Sequence, residues 1–123
     1  MTTAPALDPL DLLGLASELA ARKDASAIRT ACDRAYYAAF LFTRNRLEQL
    51  GRATPLNNGG DHRYIPSQLK AAPGGVGYGN ELDRLYGHRN RYTYQTGTPA
   101  VPSPGWMLAT ANDIIQFVRG LTP

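Results

Sequence analysis

The sequence predicts an all-α protein, an antiparallel four-helix bundle with an additional short helix. Apolar residues recur every three to four positions in long segments, helix-capping residues precede most of these segments, and the alternating pattern of β-strands is nearly absent. A chain of 123 residues is long enough to bury one core. Because no repeat or second domain is evident, we expect a single domain over residues 1–123, with its core at roughly residues 8–120.

The first predicted helix has a clear start signal near the N-terminus. Asp8 suits the N-cap, Pro9 suits the first helical position, and Asp11 places negative charge in the first turn. Arg22 near the end complements the helix dipole. The residues that then recur at helical spacing are Leu12, Ala16, Leu19 and Lys23.

The second predicted helix is the longest, and we expect it to be the central helix of the bundle. It starts at Asp24 or Ser26 and ends at Gly51, because glycine favours the backbone conformation that terminates helices. Its middle is alanine-rich and apolar around most of its circumference, as expected of a buried helix. The positions that define its stripe are Ala27, Ile28, Ala31, Ala35, Ala38, Phe42 and Leu50.

Residues 51–61 have the composition of a loop, and a short third helix is expected to open at Asp61 or His62. Pro66 limits this helix to one or two turns on either side. The segment PGGVGYGN that follows predicts a flexible glycine-rich connection. Its glycine spacing matches neither the dinucleotide fingerprint nor the P-loop.

A fourth helix is predicted from Asn80, which forms a capping box with Asp83. A fifth helix is predicted after Ser103 and Pro104, which serve as N-cap and first helical residue. The fourth helix has the stripe Leu82, Leu85, Arg89 and Tyr92, and the fifth has Met107, Ala111, Ile114 and Val118.

The composition excludes several classes of protein. Hydrophobic residues make up 43% of the chain and charged residues 19%, as in ordinary globular domains. The single cysteine, Cys32, excludes an intramolecular disulfide and a cysteine-rich zinc site, and two histidines without paired-ligand spacing argue against a bound metal. No signal peptide or membrane-length apolar run is evident, so we expect a cytoplasmic protein with no membrane partner and no cofactor.

The net charge of +3 is mildly basic, but the arginines are unevenly placed. If the second and fourth helices are neighbours, their arginines form a positive face that attracts phosphates. The alternative is a set of separate, solvated arginines. The two groups are Arg44, Arg46 and Arg52, and Arg84, Arg89 and Arg91.

Polar side chains interrupt the apolar positions of the second and fourth helices. Asp33 and Arg34 open the apolar segment RAYYAAF, and Arg89 occupies a stripe position where leucine is usual, with Asn90 beside it. A polar group among core positions costs free energy unless it is paired or functional. We therefore expect a polar cleft between helices, a dimer contact at Arg89, or core arginines paired with acids. The acid for Arg34 is Asp33 or one on a facing helix.

Three motifs in this order resemble the HEPN domain, a helical-bundle family of prokaryotic defence, toxin–antitoxin and nucleotide-linked systems. RAYYAAF at Arg34–Phe40 is similar to the family's long-helix signature. Asp61-His62-Arg63 resembles the Ser/Thr-His step that opens the short third helix in one large subgroup. LYGHRNRYTY, ending at Tyr94, lines up with the leucine, arginine and closing tyrosine of that subgroup. The resemblance implies a HEPN-like bundle over nearly the whole chain.

The resemblance also implies a function directed at RNA. Many HEPN proteins are metal-independent ribonucleases that act as homodimers, with a signature of an arginine, a polar residue and a later histidine. Arg89 and Asn90 match the start of that signature, whereas Tyr94 stands at the histidine position, as it tends to in the subgroup that this chain resembles. The candidate catalytic residues are Arg89, Asn90, Tyr94 and His62, and the candidate ligand-binding residues are Arg34, His88, Arg91 and Tyr37.

The tyrosine at the histidine position predicts weak or absent RNA cleavage. Metal-free cleavage needs a group that takes the proton of the ribose 2′-hydroxyl, a group that protonates the leaving oxygen, and cations that stabilise the phosphorane. Histidine suits proton transfer because its ordinary pKa lies near neutrality, whereas the pKa of tyrosine is about 10. Arg89 and Asn90 can still bind and polarise a phosphate.

Three functions remain open from the sequence. The first is a HEPN protein of a defence or toxin–antitoxin system that binds RNA or a nucleotide at a dimer cleft, with cleavage weak or lost. The second is a non-catalytic accessory module that pairs with a minimal nucleotidyltransferase; such partners in the family modify a tyrosine near this motif, which makes Tyr92 and Tyr94 candidates. The third is a structural dimeric bundle in which Arg89 only joins the subunits.

Overall fold

The computed structural model describes residues 2–123 and confirms the all-α prediction. Over this range the chain has five helices and no strand: α1 (Pro9–Ala21), α2 (Ala25–Gln49), α3 (Asp61–Ala71), α4 (Val76–Tyr94) and α5 (Pro104–Arg119). None of the helices described in residues 2–123 combines the length and the apolar character that a membrane crossing requires.

Helix α2 lies at the centre of the bundle, as its alanine-rich sequence predicts. It contacts each of the other four helices, whereas α1 contacts only α2 and α5. Small side chains on α2 let neighbouring helices approach closely, because the distance between helix axes depends on the residues at the contact. Its buried residues are Ala27, Ala31, Cys32, Ala35, Tyr36, Ala38, Ala39, Phe40, Thr43 and Leu47.

The predicted helix ends are confirmed at α1, α2 and α5. The side-chain oxygens of Asp8, Asp24 and Ser103 each accept a hydrogen bond from a backbone N–H two or three residues further on. Each cap satisfies an N–H group that helix geometry leaves free. At the other end of α2, Gly51 adopts a φ of 71°, the left-handed conformation expected of a terminating glycine.

The predicted start of the fourth helix at Asn80 is wrong, because α4 begins at Val76. Gly74, with a φ of 75°, and Gly75 form the turn that precedes it. A Cβ atom on Gly75 would lie 1.9 Å from the carbonyl oxygen of Leu69, so this turn requires glycine. The segment predicted as a flexible connection is therefore a tight turn from α3 followed by helix.

A second glycine lets α3 and α4 pack at close range. A Cβ atom on Gly79 would lie 2.9 Å from the carbonyl oxygen of Pro66, on the facing helix. Helix α3 runs through Pro66 with five residues on each side, in agreement with the predicted limit of one or two turns. The close approach fixes α3, with His62 in its first turn, against the face of α4.

One hydrophobic core draws residues from all five helices. The predicted stripe of α4 faces this core, since Leu82 and Leu85 are fully buried and Tyr92 is nearly so. The side chain of Arg89 is 15% exposed, which places it at the edge of the core beside α2. The stripe of α5 is also confirmed as buried: Met107, Ala111, Ile114 and Val118.

Candidate functional site

The guanidinium of Arg89 is held between two polar side chains. Its Nε atom donates to Oδ1 of Asp33 at 2.7 Å, and its Nη1 atom donates to Oδ1 of Asn90 at 2.9 Å. Asp33 belongs to α2 and Arg89 to α4, so the ion pair joins the two helices. Both side chains are about five-sixths buried, and the geometry of the pair is that of a strong, charge-assisted hydrogen bond.

Asp33 is shared by two arginines. Its second carboxylate oxygen accepts a hydrogen bond from Nη1 of Arg34, whose side chain is 40% exposed. One negative and two positive charges therefore meet here, and the cluster of Asp33, Arg34 and Arg89 carries a net charge of +1. The sequence offered Asp33 only as a partner for Arg34; its pairing with Arg89 spans 56 residues and has no local signal.

Two tyrosines flank the Arg89 guanidinium. Its carbon atom Cζ lies 5.2 Å from the ring centre of Tyr37 and 5.9 Å from that of Tyr94, within the range of cation–π attraction. Burial opposes the charge of Arg89, but the hydrogen bond and negative charge of Asp33 outweigh it and raise the pKa of the guanidinium above its ordinary value. Arg89 is thus a permanently charged group beside two aromatic rings.

An open groove of about 580 Å³ runs beside this cluster. We call it the Arg89 groove; its walls include Ser26, Thr30, Asp33, Arg34, Arg89 and Thr93. Its lining offers hydroxyl and guanidinium donors on one side of the α2–α4 contact. The groove is large enough for a phosphate group with its attached sugar, because ligand pockets typically occupy about 300–1,000 Å³.

Arg29 also lines the Arg89 groove and was not identified from the sequence. Its guanidinium donates to the backbone carbonyl oxygens of Tyr92, Gln95 and Gly97, at 2.6, 2.5 and 2.8 Å. These bonds hold the last turn of α4 and the chain after it, where carbonyl groups lack helical partners. Arg29 therefore positions the segment that contains Tyr94.

His62 lies in an aromatic cluster next to the Arg89 site. Its ring stacks between Phe40, at 4.7 Å, and Tyr86, at 4.8 Å between ring centres. Its Nδ1 atom is 2.5 Å from the hydroxyl of Tyr36, which is fully buried. Tyr37 contacts both sites, because its ring centre lies 5.9 Å from that of His62 and 5.2 Å from Arg89 Cζ.

The surroundings of His62 favour its neutral form. Burial and then the positive charge of Arg89 lower the pKa of His62, while burial raises the pKa of Tyr36 above its ordinary value. The Tyr36 hydroxyl has no other hydrogen-bond partner among residues 2–123, so we assign its proton to the bond with Nδ1, which puts the proton of neutral His62 on Nε2. In this form Nε2 donates a hydrogen bond and does not act as a base.

His88 faces away from the Arg89 groove. Its ring meets Trp106 of α5 edge-on at 5.6 Å, and its buried Nδ1 atom has no hydrogen-bond partner within residues 2–123. Burial, followed by the charges of Arg91 and Arg84, lowers the pKa of His88. Arg91 is exposed on the same helix and forms no ion pair with the part of the chain described here.

The structure therefore brings together five of the eight predicted site residues: Arg34, Tyr37, Arg89, Asn90 and Tyr94. His62 adjoins them through Tyr37, whereas His88 lies against α5. The arginines of the first predicted group contact other parts of the chain: Arg44 lies 3.8 Å from a carboxylate oxygen of Asp61, and Arg46 and Arg52 donate to the carbonyl oxygens of Leu121 and Thr122.

The arrangement offers cationic donors and aromatic rings, the groups that bind phosphates and unstacked bases. Among residues 2–123, no three His, Cys, Asp or Glu side chains come together in a cluster suited to a metal ion. Comparison with known proteins found no matching family model, no matching curated protein and no matching solved structure. The three sequence motifs and the geometry of the Arg89 groove are therefore the observations that bear on function.

Proposed function

We propose that the chain is a HEPN-like protein that binds RNA in the Arg89 groove and cleaves it weakly or not at all. The resemblance adds that two copies pair to form the cleft, within a prokaryotic defence or toxin–antitoxin system. The observation that carries the proposal is the position of Arg89. It is fixed by Asp33 and Asn90, flanked by Tyr37 and Tyr94, and set at the edge of an open groove.

The charge and the free donors of the cluster suit a phosphate. Asp33 offsets one of the two guanidinium charges, so one positive charge remains for a ligand. The Nη2 atom of Arg89 has no hydrogen-bond partner within residues 2–123, and Arg34 is 40% exposed. Because guanidinium groups bind phosphate oxygens through paired N–H donors, these two arginines form a suitable phosphate contact.

The exposed ring of Tyr94 supports RNA in preference to inorganic phosphate. Tyr94 is 71% exposed, an unusual position for a large aromatic side chain, and it stands beside the Arg89 guanidinium. Unstacked bases of single-stranded RNA stack on such rings, at about 1–3 kcal/mol per base. Arg89 thus provides a phosphate contact in the groove, and Tyr94 beside it provides a platform for the adjoining base.

The same geometry supports weak cleavage. A ribonuclease needs a proton acceptor near the 2′-hydroxyl, and a neutral histidine is the usual choice. In His62 the Nδ1 acceptor is already occupied by Tyr36, and His88 packs against Trp106. The resemblance puts Tyr94 at the position of the family's histidine, and a phenol is protonated at neutral pH.

The test is a combined binding and cleavage assay on single-stranded RNA with EDTA present. We expect the wild-type protein to bind RNA with little cleavage, and Arg89→Ala to weaken binding by about tenfold or more because the fixed phosphate contact is lost. Tyr94→Phe keeps the ring and is expected to bind like the wild type.

Arg84→Ala is the matched control, since it removes an exposed arginine of the same helix that pairs with Glu81. Unfolding curves for each variant show whether the fold is retained. Equal RNA affinity in the wild type and Arg89→Ala would overturn the proposal. Rapid cleavage that depends on Arg89 would retain the site but overturn the claim of weak catalysis.

One observation favours the accessory module as a second candidate function. Of the two tyrosines near the arginine motif, Tyr92 is 8% exposed and its hydroxyl donates to a backbone carbonyl, whereas Tyr94 is 71% exposed. Tyr94 is thus accessible to a modifying nucleotidyltransferase. Nucleotide transfer to the wild type but not to Tyr94→Phe by such an enzyme would support this function.

A further inference from the structure

We propose that a second groove, between α3 and α4, binds the nucleotide next to the one at Arg89, so that the ligand is a single RNA strand of at least two nucleotides. This inference rests on the proposed function and names the class of RNA that the site takes. The groove measures about 610 Å³, and we call it the α3–α4 groove. The lining residues that matter are His62, Arg63, Ser67, Lys70, Asp83 and Tyr86.

One wall of the α3–α4 groove is a polar face of α3. Arg63, Ser67 and Lys70 follow each other at spacings of four and three residues, so they share one side of the helix. Lys70 pairs with Asp83 across the groove at 2.6 Å, whereas Arg63 is exposed and forms no ion pair with residues 2–123. The groove therefore has a net positive charge and a hydroxyl donor, which suit a phosphate.

The α3–α4 groove also has an aromatic surface, formed by Tyr86 of α4 and His62 at the start of α3. The ring of Tyr86 lies nearly parallel to that of His62, at an interplanar angle of 17°, and the ring of Phe40 also stacks on His62. The bond between Tyr36 and Nδ1 leaves the Nε2 donor of His62 without a partner among residues 2–123. A rigid donor beside an aromatic ring is the arrangement that recognises the edge of an unstacked base.

The linings of the two grooves share no residue, but helix α4 contributes side chains to both. Tyr86 of the α3–α4 groove and Arg89 of the Arg89 groove are three residues apart, so they lie one above the other on the same face of α4. Three residues of an α-helix rise by about 4.5 Å, so these two side chains lie within one helical turn of each other. Tyr37 contacts both Arg89 and His62 and so lies between the two sites.

A continuous strand accounts for both grooves better than a mononucleotide does. The Arg89 groove offers guanidinium donors with the exposed ring of Tyr94 beside Arg89, and the α3–α4 groove offers Arg63, Lys70 and the ring of Tyr86. Each place therefore has groups for one phosphate and one base. A mononucleotide fills only one of them. Double-stranded RNA is excluded as the ligand of this pair because bases in a duplex are already stacked and do not reach aromatic rings in a groove.

The experiment measures the affinity for a labelled single-stranded hexanucleotide by fluorescence anisotropy. An unlabelled mononucleotide and an unlabelled dinucleotide are then used as competitors, which gives their affinities. The variants are Arg63→Gln combined with Ser67→Ala, Arg89→Ala and the control Arg119→Gln. Arg63 and Ser67 are exposed, so the double variant is expected to fold. Arg119 is an exposed arginine of α5 that lies over Phe42, and it carries the same charge change outside both grooves.

We expect the double variant to bind the hexanucleotide about five- to tenfold more weakly while its mononucleotide affinity stays unchanged, because only the second nucleotide loses contacts. Arg119→Gln is expected to match the wild type. Unchanged hexanucleotide affinity in the double variant, with Arg89→Ala still defective, would overturn the second groove and leave the proposed function intact. Absence of RNA binding by the wild type would overturn both.

Discussion

Gly75→Ala is expected to lower the free energy of unfolding by about 3 kcal/mol, because the added methyl group would clash with backbone atoms that cannot move without a shift of the turn. The new Cβ atom would lie 1.9 Å from the carbonyl oxygen of Leu69 and 3.0 Å from that of Ala72. Neither oxygen can rotate away, since both belong to the end of α3 and the turn that follows it. The turn between α3 and α4 must open, and the contact at Gly79 weakens with it. Chemical denaturation measures the change.

Gly77→Ala is the matched control for this prediction. Gly77 lies in the first turn of α4, and a Cβ atom there meets nothing within 4 Å. Alanine in a helix is favoured over glycine by up to about 1 kcal/mol, so Gly77→Ala is expected to be neutral or stabilising. Similar effects of the two substitutions would contradict the close approach at Gly75.

Asp33→Ala is expected to lower the free energy of unfolding by about 2 kcal/mol, since it removes the partner of two arginines at once. Arg89 would keep its hydrogen bond to Asn90 but lose the carboxylate that neutralises it at the edge of the core. The value is below that of a fully buried ion pair because Asp33 and Arg89 are each about 15% exposed. Thermal or urea unfolding measures it.

Arg34→Ala is the control for the charge cluster. Arg34 binds the same carboxylate, but its side chain is 40% exposed and its removal leaves the Asp33–Arg89 pair intact. Exposed ion pairs contribute about 1 kcal/mol or less, so Arg34→Ala is expected to have a small effect. If Arg34→Ala destabilised the protein as much as Asp33→Ala, the two arginines would share the structural role equally.

Local signals in the sequence predicted most of the fold. Asp8, Asp24 and Ser103 act within three residues of their own positions, so their caps are readable from the chain alone. The stripes of α4 and α5 were equally readable because helical periodicity repeats over short distances. The start of α4 could not be predicted in this way, since it depends on the contact between Gly75 and the end of α3.

The sequence predicted most residues of the site, but it did not predict the contacts that Asp33 and Arg29 make with α4. The motif containing Arg89, Asn90 and Tyr94 is continuous in sequence, and the structure places these residues together. Asp33 and Arg29 reach the same region from 56 or more residues away, and only the packing of α2 against α4 shows it. His62 was found as a candidate, but its tautomer depends on Tyr36, a distant and buried partner.

The RNA affinity of the Asp33→Asn variant shows whether the Arg89 groove binds a phosphate. Asparagine keeps the size of the side chain and an oxygen that accepts from Arg89, but the net charge of the cluster rises from +1 to +2. If the Arg89 groove binds a phosphate, affinity for single-stranded RNA is expected to rise roughly three- to tenfold at low salt, the effect of one unit charge a few ångströms away. Unchanged or weaker binding by a folded Asp33→Asn variant would contradict the account, because Arg89 would then only join α2 to α4.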